Sequence, residues 1–490
     1  MRQLITIALI FIVAKATAQV EIAFGNYDPF FDTTKSLSPH SAVKPIMRNT
    51  NDEVGYALND REENKTFVYP VVNQLGLISS SESGLSSVRT GVGVGFSSTL
   101  NDKFHIRGTV LGSYFEGDED IRNSILPNTY FWNGNDEVRR EVQPNIRASF
   151  TPNKFFNFQA GIDQNFIGEG ERSMILGDYG APYPFFQMRS SLWKFEFVNI
   201  YQFFRERDFN NDWVPKYASS HYLNFQATER FQFGVFESVI FQPTDTLLKR
   251  GYEWEYLNPF LFYRPAEYKI GSQDKVVIGT HFSYNLDFLM IYGQFVLDEF
   301  LLNELVNRTR WWGNKYAGQF GFKGKGTIKN VNIEYLSEIN FSRPFTFTHL
   351  DYRTNYAHQG MALGHPLGAN FVESYSTLSL AFKNDLKIKT TFMFAQQGGL
   401  DSNEEFGFGE DIYRTYTEKP FEHGYFIGGN GKLNRARWSV EVSYPVIKKL
   451  KIDAFIRPIF EWRTGAITGQ TTFVFAGIRT ALWNERSLSF

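Results

Sequence analysis

Large apolar side chains alternate with charged or amide side chains in short strips along this chain. After residue 18 no stretch approaches the roughly 18–20 apolar residues that a membrane-spanning helix needs. Phe156, Phe158, Ala160 and Ile162 alternate with Asn157, Gln159, Gly161 and Asp163. Ala436, Trp438, Val440, Val442 and Tyr444 alternate with Arg437, Ser439, Glu441 and Ser443, and Leu450, Ile452, Ala454 and Ile456 with Lys451, Asp453 and Arg457. Successive side chains of a strand point to opposite faces, so one face of each strip is apolar and the other polar. A soluble sandwich also alternates. Here the apolar face carries bulky aromatics and the other carries full charges, over hundreds of residues. That pattern predicts an all-β fold, a transmembrane outer-membrane β-barrel of about 16–18 antiparallel strands.

Composition and ends agree with this reading. Arg2, an apolar run over 4–13 and the exit Ala16-Thr17-Ala18 read as an export signal over 1–18, and the chain closes on Leu488 and Phe490. A mean hydropathy of −0.31 excludes a helical membrane protein. Aromatic residues make up 17% of the chain, with 50 Phe and 25 Tyr, enough for a lipid-facing band and interfacial girdles. The absence of cysteine excludes disulfides, thiolate catalysis, cysteine-held metals and a lipid anchor. A net charge of −2 offers no footprint for nucleic acid. The expected location is the outer membrane.

Residues 19–83 are polar and alternate little, with Asp28-Pro29, Ser38-Pro39 and the run Asp60-Arg61-Glu62-Glu63-Asn64-Lys65. They are set apart as a periplasmic or plug-like segment, leaving 84–490 as the barrel. Short turns are expected at 100–103, 151–154, 285–287, 323–326 and 383–385. Long polar loops are expected at 116–141, 168–183, 205–216, 243–274, 298–314, 341–373 and 396–434, and a last strand at 470–483. Short turns at one end and long loops at the other are the habit of outer-membrane barrels.

The densest segment runs from Gly161 through Asp163, Gly168, Gly170, Arg172, Ser173 and Asp178 to Ala181-Pro182-Tyr183-Pro184. It begins as a strand with Asp163 on the polar side. Its glycines lack the spacing of a dinucleotide fingerprint, and no helix follows. Arg172 is within reach of Asp163, Glu169 or Asp178. Either the segment folds into the barrel and is pinned by Arg–carboxylate pairs, or it touches a ligand.

These residues resemble the Wzi-like family of capsule-assembly outer-membrane proteins, and within it the gliding-motility (RemB-like) branch of Bacteroidota. Further similarity lies in Glu255-Tyr256-Leu257-Asn258-Pro259 with the following 260–265, in His365-Pro366-Leu367-Gly368-Ala369-Asn370-Phe371, and in Pro39-His40-Ser41-Ala42-Val43-Lys44-Pro45. Gly177 stands where the family pattern has Ser. The resemblance implies a monomeric barrel of about 18 strands with a plugged lumen. It also implies binding of surface (capsular) polysaccharide and, for the gliding branch, a role in surface motility.

Sugar-binding surfaces combine aromatic faces with charged and hydrogen-bonding groups. The loops offer these at Tyr252-Glu253-Trp254-Glu255-Tyr256, at Arg308-Thr309-Arg310-Trp311-Trp312 and at Phe131-Trp132-Asn133. Trp254, Arg308, Arg310, Trp311 and Trp312 are the candidate glycan contacts, with the two arginines suited to an acidic polymer. The same aromatics also suit membrane girdles and loop packing. Asp208–Asp212 starts like a calcium loop, but Trp213 and Ser219 stand where Gly and Glu are needed. The eight His are scattered, and His358 and His365 lack metal-ligand spacing. No catalytic residue, metal or cofactor is expected. The sequence therefore predicts a non-enzymatic barrel whose partners are surface polysaccharide, outer-membrane lipid and other envelope or motility proteins. A partner scaffold, an open porin lined by Arg172 and a membrane-embedded hydrolase are the alternatives.

Overall fold

A computed structural model describes residues 42–480 apart from 46–55, 62–63, 80–85, 102, 118–130, 135–137, 209–211, 244–250, 260–273, 287 and 402–404. The expected export signal, most of 19–55 and the terminal Phe490 lie outside the described residues.

Among the described residues, eighteen antiparallel strands follow one another around a closed barrel, from Asn64–Ser79 to Gly469–Thr480. The last strand closes on the first, with Phe473 opposite Ser79 and Arg479 opposite Asn73. Closure leaves no unpaired edge, which is the condition for crossing lipid with strands. Ile78, Val92, Phe203, Phe233, Phe295, Phe320, Phe392 and Trp438 are exposed on the outer face. Arg437 and Ser439, on either side of Trp438, are buried on the inner face, as are Asn157 and Gln159 beside the exposed Phe156. Outward apolar and inward polar positions thus match the sequence alternation. No described helix is long and apolar enough to cross a membrane, and among the described residues the one α-helix is Leu302–Val306.

Two expectations are corrected. The barrel does not begin at residue 84: Asn64–Ser79 is a full strand of 16 residues. Tyr56–Arg61 pairs along its first half, with Tyr56 opposite Val68. The charged cluster around Asp60–Lys65 hid this, because Asp60-Arg61 ends one strand and Asn64-Lys65 begins its partner. Phe67, Tyr69, Val71, Leu75 and Leu77 also point inward, so an apolar inner face hid the expected polarity. The segment 323–326 is not a turn either. It lies inside Lys315–Ile328, and the chain reverses at Lys329-Asn330, both with left-handed φ of 45° and 76°. Gly324 lies in the strand because the Tyr335 hydroxyl packs where its side chain would be, with an added Cβ 2.5 Å from that oxygen.

The short turns gather at one end, as at Trp193-Lys194 and Lys329-Asn330. The long connections 164–182, 343–370 and 398–432 leave the other end. Two of these fold back into the barrel.

Candidate functional site

The segment 164–182 turns inward directly after the strand Phe156–Asp163. Its entry is fixed by Arg147. The Nε of Arg147 donates to Asp163 at 2.8 Å, its Nη1 to Gln159 and its Nη2 to the Gln164 carbonyl and Asn165, while its guanidinium sits 4.2 Å from the Phe185 ring centre. Phe166 and Ile167 then pair with Lys44 and Val43 as a two-stranded ribbon inside the lumen. The Lys44 Nζ donates to the Gly168 carbonyl at 2.9 Å and to Glu169 at 3.0 Å.

Beyond the ribbon the segment crosses to the opposite wall. Glu169 accepts from Lys323 at 2.9 Å as well as from Lys44. Burial alone would raise the Glu169 carboxyl, but the two ammonium groups outweigh it and hold it at about 2. Gly170 leaves room for the Glu338 carboxylate, which an added Cβ would strike. That carboxylate accepts the backbone N–H groups of Glu171 and Arg172 and the Tyr292 hydroxyl. The Arg172 guanidinium, fully buried, meets Glu373 at 3.3 and 3.4 Å and lies 4.8 and 4.5 Å from the Tyr179 and Tyr375 ring centres. Burial alone would lower it, and Glu373 with the two tyrosines raises it above its ordinary value. Asn340 donates to both Glu338 and Glu373. His365 accepts the Leu367 N–H at Nδ1, which leaves its Nε2–H to donate to Glu373 at 2.8 Å.

Arg172 is therefore matched by Glu373, a carboxylate that the sequence did not put within its reach. Asp163 is held by Arg147 and Glu169 by two lysines. An extended segment crossing a lumen is surrounded by the far wall, not by its own neighbours. Sequence reasoning missed Glu338, Glu373, Gln294 and Lys323. Their only signal is that each lies on the inward phase of its strand.

The rest of the segment is held by close backbone packing. The Ser173 hydroxyl donates to the Ile167 carbonyl at 2.6 Å and accepts from the N–H groups of Ile175 and Leu176. Gln294 donates to the Ile167 carbonyl and accepts the Met174 N–H. The Gly177 N–H donates to the Leu363 carbonyl, and a Cβ there would lie 2.6 Å from the Gly364 carbonyl oxygen. A serine at 177 has no space in this chain. Asp178 and Pro182 are buried, and Pro184 is the second residue of the next strand, opposite Ile162.

The second inward segment, 343–370, carries the small hairpin Ala357–His358/Met361–Ala362. Met174, Ile175 and Leu176 join Val43, Phe347, Tyr356, Leu363 and Phe371 in one buried apolar cluster with inward residues of the wall. A hydrophobic core thus fills the lumen beside the strands from Tyr183–Leu192 to Phe371–Phe382.

The glycan candidates are scattered. Trp254 is 81% exposed on its own loop, while Tyr252 and Tyr256 pack beneath. Trp312 is used in packing. It stacks 4.7 Å from Tyr416, lies near Lys315 and Lys419, and donates its indole N–H to Glu422. Trp311 covers Gly313. Arg308 and Arg310 line a cavity of about 410 Å³ between the loops.

No protein-family model matches this chain, and no characterised protein matches its sequence. Solved structures do. One is described as Wzi, an outer membrane protein involved in group 1 capsule assembly in Escherichia coli and a carbohydrate-binding β-barrel. It has a TM-score of 0.55, 14% identity and 84% coverage of each chain. OccAB1 of Acinetobacter baumannii has a TM-score of 0.42 and 10% identity, covering 87% of this chain and 99% of that one. An OccD1 (OprD) variant has a TM-score of 0.44 and 9% identity, covering 87% and 98%. The first likeness establishes the fold. This chain is an outer-membrane β-barrel of eighteen strands with a Wzi-like architecture.

Proposed function

We propose that this barrel binds surface polysaccharide through its long loops and helps to attach or assemble it, without catalysing a reaction and as a monomer. The observation that carries the reading is the buried network that crosses the lumen. Arg172, Glu373, Glu338 and Glu169 are 2% exposed or less and are locked to opposite walls. A wall committed to holding a plug is poorly suited to passing solutes, and the surface that remains is the loop face. The carbohydrate binding stated for Wzi points the same way.

The Glu338 and Glu373 pair offers no hydrolytic site in this reading, because it is sealed beneath the plug. The resemblance to the gliding branch makes a motility scaffold the alternative. The test is saturable binding of purified, refolded barrel to the surface polysaccharide of its own cells, with a heat-denatured control. Planar-bilayer conductance is measured alongside. Binding with negligible conductance is expected. A folded barrel that conducts steadily and retains no glycan overturns the reading in favour of a porin. One that does neither favours the scaffold.

A further inference from the structure

The cavity on the loop face has a charge pattern that the plug lacks. It is lined by Arg308, Arg310, Arg343, Glu304, Tyr425 and Phe426, among others. Three connections build it. The segment 309–312 runs along 422–425, with the Tyr425 N–H donating to the Arg310 carbonyl and the Trp312 N–H to the Glu422 carbonyl. Arg343, from the inward segment, is buried and donates to the Tyr425 carbonyl at 3.1 Å. The Arg310 guanidinium lies 5.3 Å from the Phe426 ring centre.

Among the described residues, no carboxylate comes within 4 Å of the guanidinium of Arg308, Arg310 or Arg343 (the described salt bridges include none of the three). Glu304, the acid of the cavity, is engaged elsewhere. It accepts from Thr309 Oγ1 at 2.6 Å and lies 3.5 Å from His423. Arg308 and Arg310 both hold left-handed φ, 53° and 59°, on either side of Thr309. Non-glycine residues adopt that conformation at a cost, and such strain clusters at active sites and ligand clamps as well as in tight turns. A planar guanidinium matches a carboxylate with two parallel hydrogen bonds.

We propose that this cavity is a subsite for a carboxylate-bearing sugar residue, a uronic acid or similar, within a polysaccharide chain. Arg308 and Arg310 take the carboxylate, and the exposed Phe426 faces the sugar ring over the buried Tyr425. Arg343 adds fixed positive charge from below. The inference rests on the polysaccharide-binding reading and narrows it to acidic polymers.

The probes are an α-1,4-linked trigalacturonate and its carboxyl-reduced, neutral counterpart, titrated calorimetrically into refolded full-length barrel. The surface polysaccharide of the cells is tested in parallel. The acidic trimer is expected to bind roughly tenfold or more tighter than the neutral one, and to weaken as salt rises. Arg308→Ala/Arg310→Ala is expected to lose that preference with an unchanged melting temperature. Lys448→Ala, at the opposite end of the barrel, keeps it. Because Arg343→Ala risks misfolding, Arg343→Lys serves as its folded substitute. Equal binding of the two trimers, or an unaltered preference in the folded double variant, overturns the subsite. If neither trimer binds while the cells' own polysaccharide does, the subsite fails and the broader reading stands. If the polysaccharide also fails to bind, both fall.

Discussion

Arg172 and Arg310 both lie against aromatic rings, yet they sit in opposite situations. Arg172 is fully buried between Tyr179 and Tyr375 and is matched by Glu373, which is itself held by His365 and Asn340. Arg310 leans on Phe426 at the loop face, beside Arg308 and Arg343, with no carboxylate of the described chain against it. The difference teaches what each charge is for. A cation sealed at the centre of the barrel is costly unless an opposite charge matches it, so Arg172 is satisfied within the fold. A solvated cation needs no internal partner, so Arg310 is left able to meet an external anion. The plug carries structure, and in the reading proposed above the cap carries recognition.

The strongest way to break this contrast is Arg172→Ala. It leaves Glu373 buried without its cation and is expected to cost about 3–5 kcal/mol, read as a shift in the urea midpoint of the refolded barrel in detergent. An unchanged midpoint would remove the structural role assigned to the plug.

The next effect is pH. The Glu169 carboxyl is held at about 2 in the folded chain against an ordinary 4.5. A depressed carboxyl contributes its stabilisation above its unfolded value and loses it as pH falls. The plug is therefore expected to loosen between about pH 4.5 and 2, by about 3 kcal/mol in all. Burial also keeps His365 below its ordinary value, and it adds an acid-sensitive component of its own. The informative quantity is therefore the difference between wild type and Glu169→Gln, whose acid slope should be shallower. Equal slopes would assign the acid response elsewhere.

A smaller cost, about 1–3 kcal/mol, is expected for Gly177→Ser, because the new side chain meets the Gly364 carbonyl. Rescue by a shift of 363–364 would show a softer plug than the contacts imply. The smallest effect sharpens the comparison from the other side. Arg308→Ala/Arg310→Ala should change stability by no more than about 0.5 kcal/mol. A large loss there would make the cap as structural as the plug.

Much of the barrel was legible beforehand. The period-two alternation at Phe156–Asp163 and around Trp438 specifies which face meets lipid. The sites of most turns and long loops followed from local chemistry at Asn101, Asn153 and Asp385. Errors arose where local chemistry was ambiguous. Lys323-Gly324-Lys325-Gly326 has turn composition, yet Lys323 points inward to Glu169 and Gly324 sits beneath Tyr335. The inner face of Asn64–Ser79 is apolar, so its strand signal did not read as half-wet.

The site was legible only in part. The sequence singled out Asp163, Gly168, Gly170, Arg172 and Ser173, and the structure places all of them in the plug or at its entry. It could not say that Arg172 reaches Glu373, 201 residues away, or that Trp312 is used to pack Tyr416 and Arg310 is not. Periodicity is a local property: two faces, two solvents, one residue apart. Charge pairing inside a closed lumen is not local, because barrel closure and the inward fold of 164–182 bring together strands that the chain keeps far apart. The sequence by itself determined a barrel with a wet and a greasy face. Only the tertiary structure decided which cations are neutralised within it and which are left facing out.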